Sequence, residues 1–297
     1  MTARAGLLGA LVALIWGFNF VVADDAVAHV PPLLLVGLRY TLVFLCFVPF
    51  TRRGGMPWRY ILLVGLLYGV VQFSGLFVGL HRGVSAGVAA TLIQSQALIT
   101  IVLARVLLRE TFAARQWAGL LIAAAGLALI ASSHSASAPI DGVLFVLLGA
   151  AGWAGSNIVL KKATGVSAWG ITVWQSVVPI AVMFLLSGVF ESGQKHALVH
   201  MHSKTVLAIA YIALLSTGVG NYIWYRLIQQ IGPSNTAPFS LLVPVVGVIS
   251  GWAVLGESLG AREIAGIVLS LAGLATVMVR PALLFGLRRV RQAQGPA

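Results

Sequence analysis

The chain is written in long apolar runs separated by short turns rich in Gly, Pro and charge. Each run is about 20 residues, the helical length that crosses a bilayer. Reading the runs against their breaks gives ten spans, at 5–23, 33–51, 58–80, 86–108, 113–131, 140–160, 169–190, 204–228, 235–256 and 261–280. Spans 3 and 8 have the least clean ends. The expected fold class is all-α integral membrane, ten transmembrane helices joined by short loops.

Composition agrees. Of 297 residues 59% are hydrophobic and 9% charged, with mean hydropathy +0.99, whereas soluble domains carry about 25% charged residues. A surface this apolar needs lipid as its solvent, so the bilayer is the first partner expected. The net charge of +12 does not point to nucleic acid, because the cations are scattered over loops rather than gathered on one face. Their distribution instead gives an orientation. With the N-terminus in the cytoplasm, fourteen of the nineteen Lys and Arg residues fall in cytoplasmic segments and four outside, and Arg39 lies within span 2. Both termini are therefore expected in the cytoplasm, in a bacterial inner membrane. The first run lacks a small-residue cleavage site and reads as a retained helix. The single cysteine, Cys46, lies inside a span and reads as a small core hydrophobe.

The chain also resembles itself. A single offset of 147 residues matches Glu110 to Glu257, Gly119 to Gly266 and Gly126 to Gly273. Earlier, Trp16-Gly17-Phe18-Asn19 resembles Trp153-Ala154-Gly155-Ser156-Asn157. Two units follow: 1–135, and 136–297 with a basic cytoplasmic tail. Each holds five spans, an odd number, so the second unit must insert upside down relative to the first. Inverted repeats of this kind build secondary transporters, whose substrate site lies near the midplane between the halves.

Polar groups within spans are costly and mark wet paths or helix locks. Asn19 and Asn157 occupy matching positions, as cross-links or as a paired cavity wall. Tyr68 and Gln72 share one face of span 3, and Asn221 and Tyr225 one face of span 8, with Trp224 beside Tyr225. An amide with an aromatic on one face suits a small zwitterion with an apolar side chain; interhelical packing is the alternative. Gln94 and Gln96 point in nearly opposite directions, and Gln94 is the better candidate for the cavity. Pro244 cannot donate to the carbonyl of Ser240, nor Pro179 to that of Gln175, which predicts free mid-membrane carbonyls beside a hinge or site wall. Trp153, Trp16 and Trp174 line the cavity or fill space. Gly75, Gly79, Gly83 and Gly87 recur every fourth residue and read as a close helix approach. Arg39 reads as snorkelling outward or capping carbonyls. His196, His200 and His202 read as a solvated loop, not a metal site.

Several classes are disfavoured by what is missing. No Asp, Glu or His lies mid-span, so a proton relay is not expected. There is no phosphate-binding Gly-x4-Gly-Lys-Ser/Thr motif. No nucleophile–base pair or metal set is visible, so the chain is not expected to be an enzyme or to need a cofactor. Without a fixed charge for a zwitterion, affinity is expected to be weak and selectivity broad.

The runs Leu14-Ile15-Trp16-Gly17-Phe18-Asn19-Phe20-Val21-Val22, Gly37-Leu38-Arg39-Tyr40, Arg109-Glu110-Thr111 and Leu241-Leu242-Val243-Pro244-Val245-Val246-Gly247 resemble those of EamA-domain carriers of the drug/metabolite transporter superfamily. The resemblance covers nearly the whole chain and is nearest to bacterial amino-acid exporters of the cysteine/O-acetylserine and aromatic types. It implies ten helices around a central cavity. Such carriers often place a basic residue after the first-helix Phe-Val-Val stretch, where this chain has Ala23-Asp24-Asp25, so a role for that cation does not transfer. The expected function is a monomeric exporter of amino acids and related small metabolites (aromatic residues, Thr, Met, Cys), working by alternating access without ion coupling. The alternative is a proton-coupled exporter of drugs or other metabolites.

Overall fold

A computed structural model describes residues 3–84, 86–111, 113–132, 139–256 and 260–278. Glu257, matched above to Glu110, lies outside them, as do the basic tail and the side chains of Asp24, Asp25 and Glu263. The described residues form helices and turns: α1 (Ala3–His29), α2 (Pro32–Phe50), α3 (Trp58–His81), α4 (Val88–Leu108), α5 (Ala114–Ser132), α6 (Ile140–Lys162), α7 (Ala168–Phe190), α8 (Ser203–Ile231), α9 (Pro233–Val254) and α10 (Ala261–Met278). Eight of the ten are long and apolar enough to cross a membrane, and α5 and α10 contain shorter apolar stretches. One short helix, Gln194–Val199, sits in the loop that the sequence left irregular. Leu7, Leu45, Leu185 and Leu207 are each more than half exposed, as lipid-facing residues must be.

Buried helix starts need acceptors for their free amides. Both α2 and α9 begin at a proline, which wastes no donor there. At α2 the Glu191 carboxylate accepts from the amides of Leu33 (2.7 Å) and Leu34 (3.0 Å). At α9 the Glu110 carboxylate accepts from the Ser234 amide at 3.3 Å.

The helix pairings have an internal symmetry. Helix α1 packs on α8 and α9, α6 packs on α3 and α4, α2 on α7, and α5 on α10. Exchanging each helix for the one five places away reproduces the same set. The α5–α10 contact fixes the sense of that exchange. A side chain added at Gly119 would meet Gly273 and Val277, and one added at Gly126 would meet Gly266 and Ser270. Rising numbers on one helix meet falling numbers on the other, so equivalent helices run antiparallel. At the crossing, Ser270 Oγ lies 3.4 Å from the carbonyl oxygen of Ala123, its own partner at the 147-residue offset. The four-residue glycine spacing of α3 works likewise, with Gly75 and Gly79 against the α6 backbone at Phe145 and Gly142.

Backbone irregularities repeat as well. Helix α3 has a π-helical segment at Gly65–Gln72 and α8 one at Tyr211–Gly220. Helix α4 tightens to a 3-10 turn at Ile93–Ser95 and α9 at Ala237–Leu241. Departures of this kind are concentrated at functional sites in helices. They also revise the expectation drawn from proline. The Leu242 amide turns back onto the carbonyls of Phe239 and Ser240, and the Val178 amide takes up the Gln175 carbonyl at 3.2 Å. Neither carbonyl is left free, because a tighter turn brings an amide within reach where the α-helical partner is a proline.

Candidate functional site

At the centre of the bundle three tryptophans meet. Trp16 of α1 and Trp153 of α6, the pair matched in the repeat, stand edge to face with centroids 5.6 Å apart. Trp224 of α8 closes the group at 5.2 and 6.1 Å. Tyr68 of α3 extends it, 5.8 Å from Trp153, 6.3 Å from Tyr225 and 6.0 Å from Phe73. Such contacts are edge-on or tilted, as ring quadrupoles prefer.

Around this aromatic centre the polar side chains fall into two groups. The first is saturated. Trp224 Nε1 donates to Asn157 Oδ1 (3.0 Å). Asn157 Nδ2 donates to Thr100 Oγ1 (3.1 Å) and Gln96 Oε1 (3.4 Å). Gln96 Nε2 donates to Ser240 Oγ, which donates to the Ala237 carbonyl. This chain of bonds stitches α4, α6, α8 and α9 together. Tyr225 is also held, its hydroxyl bonded to the Gln175 amide at 2.7 Å.

The second group has buried polar atoms with no hydrogen-bond partner in the protein: Asn19 Oδ1, Gln72 Oε1, Gln94 Oε1, Trp153 Nε1 and Asn221 Nδ2, to which Tyr40, Ser74 and Ser95 add their hydroxyls. Asn221 uses only its oxygen, which accepts from the Tyr68 hydroxyl at 3.2 Å. A buried polar atom without a partner costs free energy, so these atoms are spare hydrogen-bonding capacity within the bundle. Asn157, Ser240 and Tyr225 are placed in bonded networks, whereas Asn19, Gln72, Gln94, Trp153 and Asn221 carry spare capacity. Pro244 is buried, one turn beyond the irregular turn of α9.

Two participants escaped the sequence reading. Gln175 was expected only as a carbonyl, yet its side chain bonds Tyr225. Trp224 was noted only as a neighbour of Tyr225; its amphipathic position in α8 gave no sign that it would meet Trp16. Trp174 lies apart, packed on Phe44 and Trp58. Arg39 neither snorkels nor caps a carbonyl. It is 9% exposed, donates through Nε to Thr217 Oγ1 at 3.0 Å, and lies over the Phe73 ring at 4.3 Å. A cleft of about 320 Å³ lies between the Arg52–Pro57 and Thr164–Ser167 loops and is lined by none of these residues.

The profile of the EamA-like transporter family matches the chain twice, over residues 3–132 and 140–279. The chain is 36% identical over 283 residues to a "probable amino-acid metabolite efflux pump" of Salmonella typhimurium, covering 92% of this chain and 94% of that one. It is 34% identical to an Escherichia coli protein of the same name, with the same coverage. An "uncharacterized inner membrane transporter YedA" of Escherichia coli is 27% identical over 86% of this chain and 85% of its own length. A solved crystal structure superposes with a TM-score of 0.78 at 18% identity, covering 94% of this chain and 97% of the other, a likeness of fold.

Proposed function

We propose that this chain, which belongs to the EamA-like transporter family, exports amino acids and related small metabolites through a midplane site between its two halves. Its family makes it a transporter and not an enzyme. The observation that carries the reading is the set of unpartnered amide and indole atoms at Asn19, Gln72, Gln94, Trp153 and Asn221 around the Trp16–Trp153–Trp224 centre. Amides answer the charged ends of a small zwitterion, and the rings accept an apolar side chain. The antiparallel crossing of α5 and α10 supports alternating access, in which one half rocks against the other about a fixed centre. The names of the relatives at 34–36% identity favour amino-acid metabolites. The cation distribution supports an inner-membrane orientation with both termini in the cytoplasm, and the unit that transports is taken to be the monomer.

Transport is facilitated, driven by the solute's own gradient, since the centre is built from amides, hydroxyls and aromatic rings that exchange no protons near neutrality. The test is uptake of labelled Thr, Met, Cys and aromatic amino acids into proteoliposomes with ionophores collapsing every ion gradient. Saturable uptake with competition across the panel is expected. Uptake that appears only when a proton gradient is restored would refute the uncoupled mechanism, and none under either condition would refute amino-acid export.

A further inference from the structure

A cation buried within a membrane span is expensive and is kept where it pairs or acts. The surroundings of Arg39 show which. Its contacts among the described residues are a hydrogen bond from Nε to Thr217 Oγ1, a polar contact with the neighbouring Tyr40 hydroxyl, and two ring faces, Phe73 at 4.3 Å and Tyr40 at 5.2 Å. None of the described carboxylates reaches it: Asp141 pairs with Arg82, Glu191 caps α2 and Glu110 caps α9. A guanidinium has five N–H donors. The Thr217 bond occupies the one on Nε and leaves the terminal amino groups with no protein acceptor but the neighbouring Tyr40 hydroxyl, which cannot fill both. Those two groups form the planar fork that takes a carboxylate in a bidentate grip. The fork is held in place: Thr217 Oγ1 donates in turn to the Ile212 carbonyl at 2.8 Å, and the Phe73 ring covers one face of the cation.

The position joins Arg39 to the centre described above. Phe73 also packs on Tyr68. Thr217 lies four residues before Asn221, about 6 Å along the same helix, and Asn221 Nδ2 is a second unpartnered donor. Gln72, next to Phe73, offers an unpartnered acceptor in Oε1. Donors for a carboxylate and an acceptor for an ammonium thus lie on the stretches of α2, α3 and α8 that meet at Phe73 and Tyr68.

We propose that Arg39 is the carboxylate anchor of the transport site, so that the carrier selects solutes bearing a free carboxylate. This rests on the export of amino-acid metabolites proposed above and names the group that recognises them. It replaces the expectation of binding without a fixed charge.

The experiment uses the full chain in proteoliposomes and labelled L-methionine, with unlabelled L-methionine and L-methioninamide as competitors. The amide keeps the side chain and the ammonium and lacks the carboxylate. In the wild type methionine is expected to compete at least roughly ten-fold more strongly than the amide, as loss of a charge-assisted contact implies. Arg39→Gln is expected to raise the KM for methionine roughly ten-fold or more and to bring the two competitors together. Arg39→Lys, which keeps the charge and loses the fork, is expected to fall between. Equal competition by the amide in the wild type would overturn the proposal, and so would an unchanged ratio in Arg39→Gln. If Arg39→Gln is not monodisperse after purification, Arg39→Lys decides by the same ratio. A wild type that takes up no amino acid removes the functional reading itself, whereas uptake with a ratio indifferent to residue 39 removes only this anchor.

Discussion

Asn157 and Asn19 occupy the same place in the two repeats and have opposite surroundings. Asn157 is wholly buried and spends its amide on Trp224, Thr100 and Gln96. Asn19 keeps an oxygen with no partner. The difference arises in the partners. At the 147-residue offset Gln96 becomes Val243 and Thr100 becomes Gly247, so α9 brings α1 no counterpart of the polar pair that α4 brings α6. The two asparagines thus differ in what the neighbouring helix brings them: one is locked into a bonded network and the other keeps spare capacity.

The comparison can be broken at several points. The largest effect is expected where the halves meet. Gly126→Leu places atoms where the Gly266 carbonyl oxygen already stands 2.6 Å from an added Cβ, and overpacking should cost about 3 kcal/mol. A clear fall in thermal stability of the detergent-solubilised protein checks this, and a wild-type melting curve would show that α5 and α10 do not pack as described.

Next comes the lock. Asn157→Ala strands Trp224 Nε1 and the Gln96 and Thr100 side chains, for a loss of about 1–2 kcal/mol. The equivalent Asn19→Ala should change stability by less than about 0.5 kcal/mol. If both variants melt alike, the contrast between the repeats fails.

The functional half of the comparison is sharpened by Asn19→Ala combined with Gln72→Ala. Uptake in proteoliposomes is expected to fall roughly thirty-fold, since each amide offers a solute about 1 kcal/mol of hydrogen bonding, while the protein stays folded and monodisperse. Transport at the wild-type rate would assign these amides to packing.

The smallest effect is expected at the rim. Asp141 pairs with Arg82 at 2.7 Å, both side chains about half exposed. Exposed pairs contribute little, so Asp141→Asn should leave both the melting curve and uptake unchanged. A marked loss of uptake would give the rim pair a part in opening and closing.

Span positions were legible because their signal is local. About 20 consecutive apolar residues admit few alternatives, and observed boundaries such as Ile140–Lys162 and Ala168–Phe190 lie within a few residues of 140–160 and 169–190. The repeat was legible at Gly119, Gly126, Gly266 and Gly273, where close approach leaves room for glycine alone. The proline expectation misled at Ser240 and Gln175, since removing one amide does not determine whether another turns in to replace it. The site was legible only as a set of candidates. Gln94 and Gln96 differ by two positions in one helix and look alike in sequence, yet Gln96 is spent on Ser240 and Gln94 Oε1 is unpartnered. Nothing local to residue 39 tells a snorkelling arginine from one bonded to Thr217, 178 positions away.

The sequence by itself determined the solvent of this protein, the number and length of its helices and the glycines at which α5 and α10 meet, because hydrophobicity and glycine spacing act over neighbouring residues. The tertiary structure decided which polar groups satisfy each other and which are left over, because a hydrogen bond in a bilayer is completed by whatever helix packs alongside.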